Sequence, residues 1–154
     1  MPSTRFELRP ATHEDVQPIS AMQRTSLPET YGPFLGQTAV EEFIAAGNVE
    51  DYFEEHWPDA MVATVDERIV GVVVCGGTLV DLAWVDPAFR SQGIGSALMA
   101  DVERRADGAL RLEVWKVNER AVAFYERLGF RTAEEFTDPM GLAKLVMRKA
   151  VQSR

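Results

Sequence analysis

Two glycines separated by one residue follow an apolar run in the middle of the chain. Residues 82–98 read LAWVDPAFRSQGIGSAL, a pattern that predicts a strand, a short loop and the start of a helix. The first turn of a helix leaves about four backbone N–H groups unpaired and carries roughly half a positive charge. Glycine removes the Cβ that would obstruct a phosphate. The pattern therefore indicates an anion-binding site built from the backbone amides of Gln92 to Ser96.

The same glycines have a simpler explanation as a tight turn that requires their backbone angles. A dinucleotide-binding module of the Rossmann type would need a third glycine where Leu98 stands. A P-loop would need a Gly-Lys-Ser/Thr sequence after four residues, and that sequence is missing. The tight turn and the anion site stay open on these residues alone, whereas a nucleotide-binding module is disfavoured.

The elements that must position this loop are predicted from hydrophobic periodicity. Strands are expected at 6–9, 60–65, 69–75, 78–85, 110–115, 130–136 and 144–149. Helices are expected from the N-cap Thr12 to about residue 26, from the Thr38/Glu41 capping box to about Gly47, and at 49–56, 94–106 and 118–128. Residues 27–36 contain two prolines and two glycines and are predicted to be a loop. The pattern predicts an α/β fold with a mixed sheet.

Composition excludes several classes of function. The chain has 154 residues, which favours a single domain over 1–154. Its net charge of −8 gives no basic surface for nucleic acid, so no nucleic-acid partner is expected. One cysteine and two histidines provide no visible metal-ligand cluster, so no metal is expected. A polar start and short apolar runs predict no membrane association and a cytoplasmic location.

Two segments carry a resemblance to a known family. The first is Arg90-x-x-Gly93-x-Gly95 after a strand that ends in Val85-Asp86-Pro87. The second is a Leu-Glu-Val strand around Glu113, followed by Asn118 and by AFYERLGF at 123–130. In this order and spacing they resemble the GNAT superfamily of acetyl-CoA-dependent N-acyltransferases. The strong resemblance covers about residues 78–130, and Ser91 departs from it because many members have glycine there.

The resemblance implies a fold and a mode of cofactor binding. It implies a GNAT-like α/β domain whose mixed, mostly antiparallel sheet has about seven strands, flanking helices and splayed parallel central strands at 78–85 and 110–115. The pantetheine arm of acetyl-CoA would pair with the backbone of Ala83, Trp84 and Val85. Asn118 would hydrogen-bond the pantetheine, or cap a helix, or do both. The residues expected around the pyrophosphate are Arg90, Ser91, Gln92, Gly93, Ile94, Gly95 and Ser96.

The implied reaction is direct attack of an amine on the acetyl thioester. An alkylamine has a pKa near 10.4, so a base or a water relay helps to expose the free amine at neutral pH. Glu113 is the first candidate base, Asp81 is the second, and water is the third. Tyr125 occupies the tyrosine position of the family pattern and is assigned as the general acid that protonates the CoA thiolate. A buried packing role for Tyr125 and a solvated carboxylate at Glu113 remain the simpler alternatives.

The acceptor is the least determined part of the prediction. Tyr31 and Phe34 are expected to hold an amine by cation–π contact, and Asp81 to bind a cationic substrate if it is not the base. A small molecule and a peptide are equally open as the acceptor, and the resemblance is compatible with a homodimer. A catalytically silent acyl-CoA-binding or regulatory module is the main alternative, because it would keep the glycines without needing Tyr125.

Overall fold

The computed structural model describes residues 5–151. Seven strands lie within them: β1 (Glu7–Pro10), β2 (Ala60–Val65), β3 (Arg68–Gly76), β4 (Leu79–Val85), β5 (Leu110–Trp115), β6 (Arg131–Thr137) and β7 (Ala143–Lys149). The α-helices of the same residues are α1 (Val16–Leu35), α2 (Gln37–Ala45), α3 (Asn48–His56), α4 (Ile94–Arg105) and α5 (Glu119–Arg127). The predicted order of strands and helices is confirmed, with the short third helix present as α3.

The strands form a mixed sheet in the order β1-β2-β3-β4-β5-β7-β6. β4 and β5 run parallel, with Leu79 opposite Arg111 and Val80 opposite Leu112. The β1–β2, β2–β3, β5–β7 and β6–β7 pairs are antiparallel. The predicted class, a mixed and mostly antiparallel sheet of about seven strands with flanking helices, is therefore confirmed.

The described chain divides into two compact units. The first unit comprises residues 5–74 and 82–99, and its core includes the fully buried Ile19, Phe53 and Val62. The second unit comprises 75–81 and 100–151, where α5 packs against β5 and both Leu112 and Met147 are buried. The expectation of a single domain over 1–154 stays a prediction.

The strands predicted at 60–65 and 69–75 are present as β2 and β3, and the turn that joins them into a hairpin has left-handed backbone. Asp66 has φ 49° and Glu67 has φ 67°. Two-residue hairpin turns favour positive φ at both central residues because this twist matches that of the flanking strands. The antiparallel pairing then places Val65 opposite Arg68 and Ala60 opposite Val74.

Helix α1 runs through the segment that the sequence predicted as a loop, so that prediction is wrong. Pro28 and Pro33 lie inside the helix, although an interior proline removes a hydrogen bond and costs about 3 kcal/mol. Leu27 is buried in the core and Tyr31 packs against it, and this burial offsets the cost. The helix ends at Gly36, whose φ of 92° stops the helical repeat.

The two capping predictions have different outcomes. Thr12 is the N-cap of a short 3-10 helix that leads into α1, as predicted, and it also forms a capping box with Asp15. The box predicted at Thr38 and Glu41 is wrong, because α2 begins one residue before Thr38 and takes Gly36 as its N-cap. The tight junction between α1 and α2 leaves no extended residue that could serve as a threonine cap.

Within residues 5–151, no helix has both the length and the apolar character needed to cross a membrane. The same residues contain no group of three or more histidine, cysteine, aspartate or glutamate side chains placed to hold a metal ion.

Candidate active site

The glycine loop, defined as residues 90–96, follows a short 3-10 helix (Pro87–Phe89) and includes the first residues of α4. Gly93 has φ 86°, and a Cβ added there would meet no atom within 4 Å. Gln92 and Gly93 are exposed, and α4 begins at Ile94 directly after them. The N–H groups of the first helical turn have no partner within the helix. The loop therefore combines exposed backbone with the amide groups of a helix N-terminus, and its role toward an anion stays a prediction.

Ser91 is the residue at which the loop departs from the family pattern. Ser91 is exposed, and its backbone has φ 62°. Glycine adopts this left-handed conformation without cost, whereas a residue with a Cβ loses roughly 1–2 kcal/mol. A serine in place of glycine at position 91 therefore leaves the loop with a strained backbone at this residue.

Asp86 anchors the chain just before the glycine loop. Its N–H donates to the carbonyl oxygen of Val70 on β3 at 2.8 Å. Its Oδ1 accepts the N–H of Ala88 at 3.0 Å, and its Oδ2 lies 3.3 Å from Arg68 Nη2. These bonds hold the C-terminal end of β4 and the start of the short 3-10 helix that leads into the glycine loop.

Gly71 allows the start of α4 to lie close against β3. A Cβ at this position would lie 3.1 Å from Cγ2 of Ile94 and 3.2 Å from Cδ1 of Leu98. Both of these side chains are buried and hold the first turns of the helix in place. No local pattern indicates a role for Gly71, because its close contact depends on a helix more than twenty residues later.

Trp84 is buried in the middle of the segment predicted to bind pantetheine, whereas Ala83 and Val85 are half-buried. The indole Nε1–H of Trp84 donates to Ser26 Oγ on α1 at 2.8 Å. Its ring meets Tyr31 edge to face, with the ring centroids 5.3 Å apart. The side chain of Trp84 is therefore a core anchor, and its predicted contribution to cofactor binding is a backbone one.

Arg90 opens the glycine loop and is tied to α1. Its Nη2 donates to Thr30 Oγ1 at 3.2 Å, across sixty residues of sequence. Because the loop prediction for 27–36 was wrong, the sequence did not place Thr30 on a helix or near this arginine. A helix face with serine and threonine four residues apart is the signal that could have indicated the contact.

Tyr31 and Phe34 lie on α1 and not on a loop. Their ring centroids are 5.4 Å apart, and both side chains are half-buried. Burial raises the pKa of the Tyr31 phenol to about 12, so this group remains protonated at neutral pH. The two rings meet in space as an aromatic pair beside Trp84, and their role toward an amine stays a prediction.

Glu113 lies in β5 on the face opposite the buried side chains of that strand. Leu110, Leu112 and Val114 are buried, whereas Glu113 is exposed. Its Oε2 lies 3.1 Å from Arg111 Nη2, and its Oε1 lies 3.8 Å from Lys144 Nζ. Lys144 also lies over the ring of Trp115, 5.2 Å from the centroid. The predicted base is therefore held between two cations, a feature that the sequence did not predict because Lys144 comes from β7.

Asn118 and Tyr125 belong to α5. Asn118 is the N-cap, and its side-chain oxygen accepts the N–H of Ala121 at 3.3 Å. Tyr125 is 8% exposed, and its ring lies 5.7 Å from the ring of Phe130, centroid to centroid. The capping role considered for Asn118 is thus present, and the packing role considered for Tyr125 is present as well. Neither contact excludes the functional role.

The predicted residues fall in both compact units. The glycine loop, Ala83, Trp84, Val85, Tyr31 and Phe34 belong to the first unit, where Trp84 and Arg90 both contact α1. Glu113, Asn118, Tyr125 and Asp81 belong to the second unit. Asp81, the carboxylate that interrupts an apolar sequence, is exposed on β4.

A comparison with protein-family models matches residues 55–132 to a family described as an acetyltransferase (GNAT) domain. The chain belongs to this acetyltransferase family. The family and the acetyltransferase class expected from the two sequence segments are therefore confirmed.

Individual relatives are similar over most of the chain. The ribosomal protein bS18-alanine N-acetyltransferase of Escherichia coli K12 is 35% identical over 126 residues, covering 75% of this chain and 81% of the relative. The peptidyl-lysine N-acetyltransferase YjaB of Salmonella typhimurium is 29% identical over 140 residues, covering 88% and 91%. The crystal structure of the PaiA N-acetyltransferase from Thermoplasma acidophilum in complex with coenzyme A has a TM-score of 0.78 at 18% identity, covering 95% of this chain and 99% of that chain. This structural likeness is evidence for the fold.

Proposed function

We propose that the protein transfers an acetyl group from acetyl-CoA to the amine of a peptide or protein. The open first turn of α4 at Gly93 is the observation that carries the donor half of this proposal. The sequence left a small molecule and a peptide equally open as acceptors. The relatives named for peptidyl-lysine and for a ribosomal protein alanine favour the peptide.

The residues present fit an acyl-CoA donor. The backbone amides of 92–96 would bind the pyrophosphate, because they lie at a helix N-terminus with open space above Gly93. Arg90 would add a positive charge beside them. The backbone of Ala83 and Val85 would pair with the pantetheine arm, and the Nδ2 group of Asn118 would donate to one of its carbonyls.

The reaction needs one base and one acid. The acceptor nitrogen forms a bond to the acetyl carbon, and the carbon–sulfur bond breaks. The nitrogen gives up a proton to Glu113, directly or through water, and the departing thiolate takes a proton from the Tyr125 hydroxyl. A backbone N–H near Val85 would stabilise the oxyanion that forms on the acetyl group. Solvent then returns the proton from the base to the acid.

The acceptor would approach with a cationic or polar group. The aromatic pair of Tyr31 and Phe34 would contact the amine-bearing chain by cation–π interaction. The exposed carboxylate of Asp81 would attract a positive group of the acceptor or serve as the base in place of Glu113. A cytoplasmic location and a homodimer also belong to the proposal.

The test combines ligand binding with turnover. CoA and NAD are compared by thermal shift, and thiol release from acetyl-CoA is followed with an alanine-terminated peptide, a lysine peptide, spermidine and an aminoglycoside. We expect CoA, but not NAD, to raise the melting temperature of the protein. Among the four acceptors, we expect a peptide to give the fastest thiol release. CoA binding without turnover on any amine would favour the silent acyl-CoA-binding module, and stabilisation by NAD alone would overturn the proposal.

A further inference from the structure

Two hydroxyl groups on α1 accept hydrogen bonds from residues near and within the glycine loop. Ser26 Oγ accepts from Trp84 Nε1 at 2.8 Å, and Thr30 Oγ1 accepts from Arg90 Nη2 at 3.2 Å. Residues four apart in a helix lie on the same face, one turn above each other. One face of α1 therefore holds both the end of β4 and the first residue of the glycine loop.

The contact with Thr30 holds Arg90 next to the strained part of the glycine loop. Arg90 is half-buried, and the next residue, Ser91, has left-handed backbone with φ 62°. A strained conformation persists only where neighbouring contacts over-determine it. An arginine side chain has many rotamers, and a bond to a fixed hydroxyl selects among them. Thr30 thereby orients the guanidinium at the point where the chain enters the anion-binding turn.

We propose that Thr30 is a positioning residue for the phosphate end of acetyl-CoA, acting through Arg90. Its hydroxyl fixes the guanidinium in the orientation in which the positive charge faces the diphosphate bound by the loop. The inference rests on the proposed function, because it assumes that CoA is the ligand of the glycine loop. It assigns to α1 a role in donor binding, in addition to the acceptor role predicted for Tyr31 and Phe34.

A matched control lies on the same helix. Thr25 is exposed, and its Oγ1 donates to the carbonyl oxygen of Ala21 at 2.8 Å within α1. Thr25→Val therefore makes the same chemical change in the same helix without touching Arg90. Thr30→Ser retains a hydroxyl at the tested position and serves as the rescue variant.

The experiment is a double-mutant cycle on the dissociation constant of CoA, measured by titration calorimetry on the full chain. Thr30→Val is expected to weaken CoA binding by about fivefold to tenfold, the effect of losing one ordinary hydrogen bond, because Thr30 acts on CoA only through the orientation of Arg90. Thr25→Val should bind CoA as the wild type does, and Thr30→Ser should recover most of the loss. In the Arg90→Ala background, Thr30→Val should cause no further loss, because the group it positions is absent.

The outcomes separate the inference from the proposed function. If Thr30→Val binds CoA as tightly as the wild type, the positioning role is wrong. An equal loss in the Arg90→Ala background would show that Thr30 acts through general packing, which also overturns the inference. If the wild type itself does not bind CoA, the proposed function is wrong, and the inference is overturned with it.

Discussion

Tyr125 lies on α5, and its ring has the rings of Phe124 and Phe130 as neighbours. A general acid and a core residue could both make these ring contacts, so packing alone does not distinguish the two roles. The hydroxyl group does distinguish them, because removing it leaves the ring in place. The reaction that we propose uses that hydroxyl only when the thiolate departs.

Tyr125→Phe is therefore expected to lower kcat by about 10²-fold while the dissociation constant of CoA stays unchanged. Steady-state thiol release and calorimetry measure the two quantities. Tyr52→Phe, on the unrelated helix α3, is the matched control and should leave kcat unchanged. Equal kcat for Tyr125→Phe and wild type would remove Tyr125 from the mechanism.

The carboxylate of Glu113 has two cationic neighbours, and they are compatible both with a catalytic base and with a surface ion pair. Arg111 and Lys144 hold its two oxygens at 3.1 and 3.8 Å, and these contacts orient the group. An oriented carboxylate is suited to accept a proton from an amine or from a bridging water. The same contacts would be found around a carboxylate whose role is only to neutralise the face of β5.

The pH profile of kcat discriminates these roles. Glu113→Gln is expected to abolish the acidic limb of the profile and to lower the plateau by about 10²-fold, because an amide cannot accept the proton. Asp81→Asn is measured in parallel as the alternative base, and Glu119→Gln on α5 is the control. If only Asp81→Asn moves the limb, Asp81 is the base, and if neither variant does, water is.

At the scale of elements, the start of α1 is joined to β1 by one charged pair. Arg9 donates two hydrogen bonds to Asp15, at 2.7 and 2.9 Å, and the N–H of Thr12 donates a third at 2.7 Å. The bonds from Arg9 dominate, burial opposes them, and Thr12 adds to them, so the pKa of Asp15 falls to about 2. A carboxyl with a lowered pKa stabilises the fold above its unfolded pKa, and this contribution is lost as pH falls through the folded pKa.

Asp15→Asn is accordingly expected to lower the free energy of unfolding at pH 7 by about 1–2 kcal/mol. The difference from wild type should shrink as the pH falls from about 4 towards 2, because the native carboxylate becomes protonated in that window. Urea unfolding at several pH values measures it, with the exposed Asp107→Asn as control. A difference that is independent of pH would contradict the assignment to this ion pair.

The elements that the sequence predicted well are those whose signal is local. β2 and β5 have the predicted bounds, because apolar alternation and flanking turns define them within a few residues. Helix α1 was cut short in the prediction, because Pro28 and Gly32 are strong local signals for a loop. Burial of Leu27 in a core built by distant strands overrides them, and no local window contains that information.

The candidate site divides in the same way. The glycine loop and its helix were predictable, because a helix N-terminus and its glycines are adjacent in sequence. Three contacts of the site join residues that are distant in sequence. They are the hydrogen bond between Arg90 and Thr30, the ion pair between Lys144 and Glu113, and the close approach of Gly71 to α4. Such contacts follow from the tertiary fold, and a single sequence does not specify them.

At the scale of the whole molecule, a net charge of −8 is opposed to an anionic ligand. CoA carries several phosphate charges, so the long-range field of the protein repels it. Binding must then rest on short-range donors, and backbone amides at a helix N-terminus supply these without a cluster of lysines. Salt screens the long-range repulsion, whereas hydrogen bonds to backbone amides in the first turn of α4 are less sensitive to it.

The affinity for CoA should therefore depend weakly on ionic strength. Between about 0.05 and 0.5 M salt, we expect the dissociation constant to change by less than about threefold, because relief of repulsion offsets the weakened attraction to Arg90. Calorimetric titration with CoA in sodium chloride measures the dependence, and pantetheine, which lacks the diphosphate, is the uncharged control. A tenfold loss of affinity over this range would mean that lysine and arginine side chains dominate the phosphate contacts. The backbone-amide account of the glycine loop would then be wrong, even if the enzyme uses acetyl-CoA.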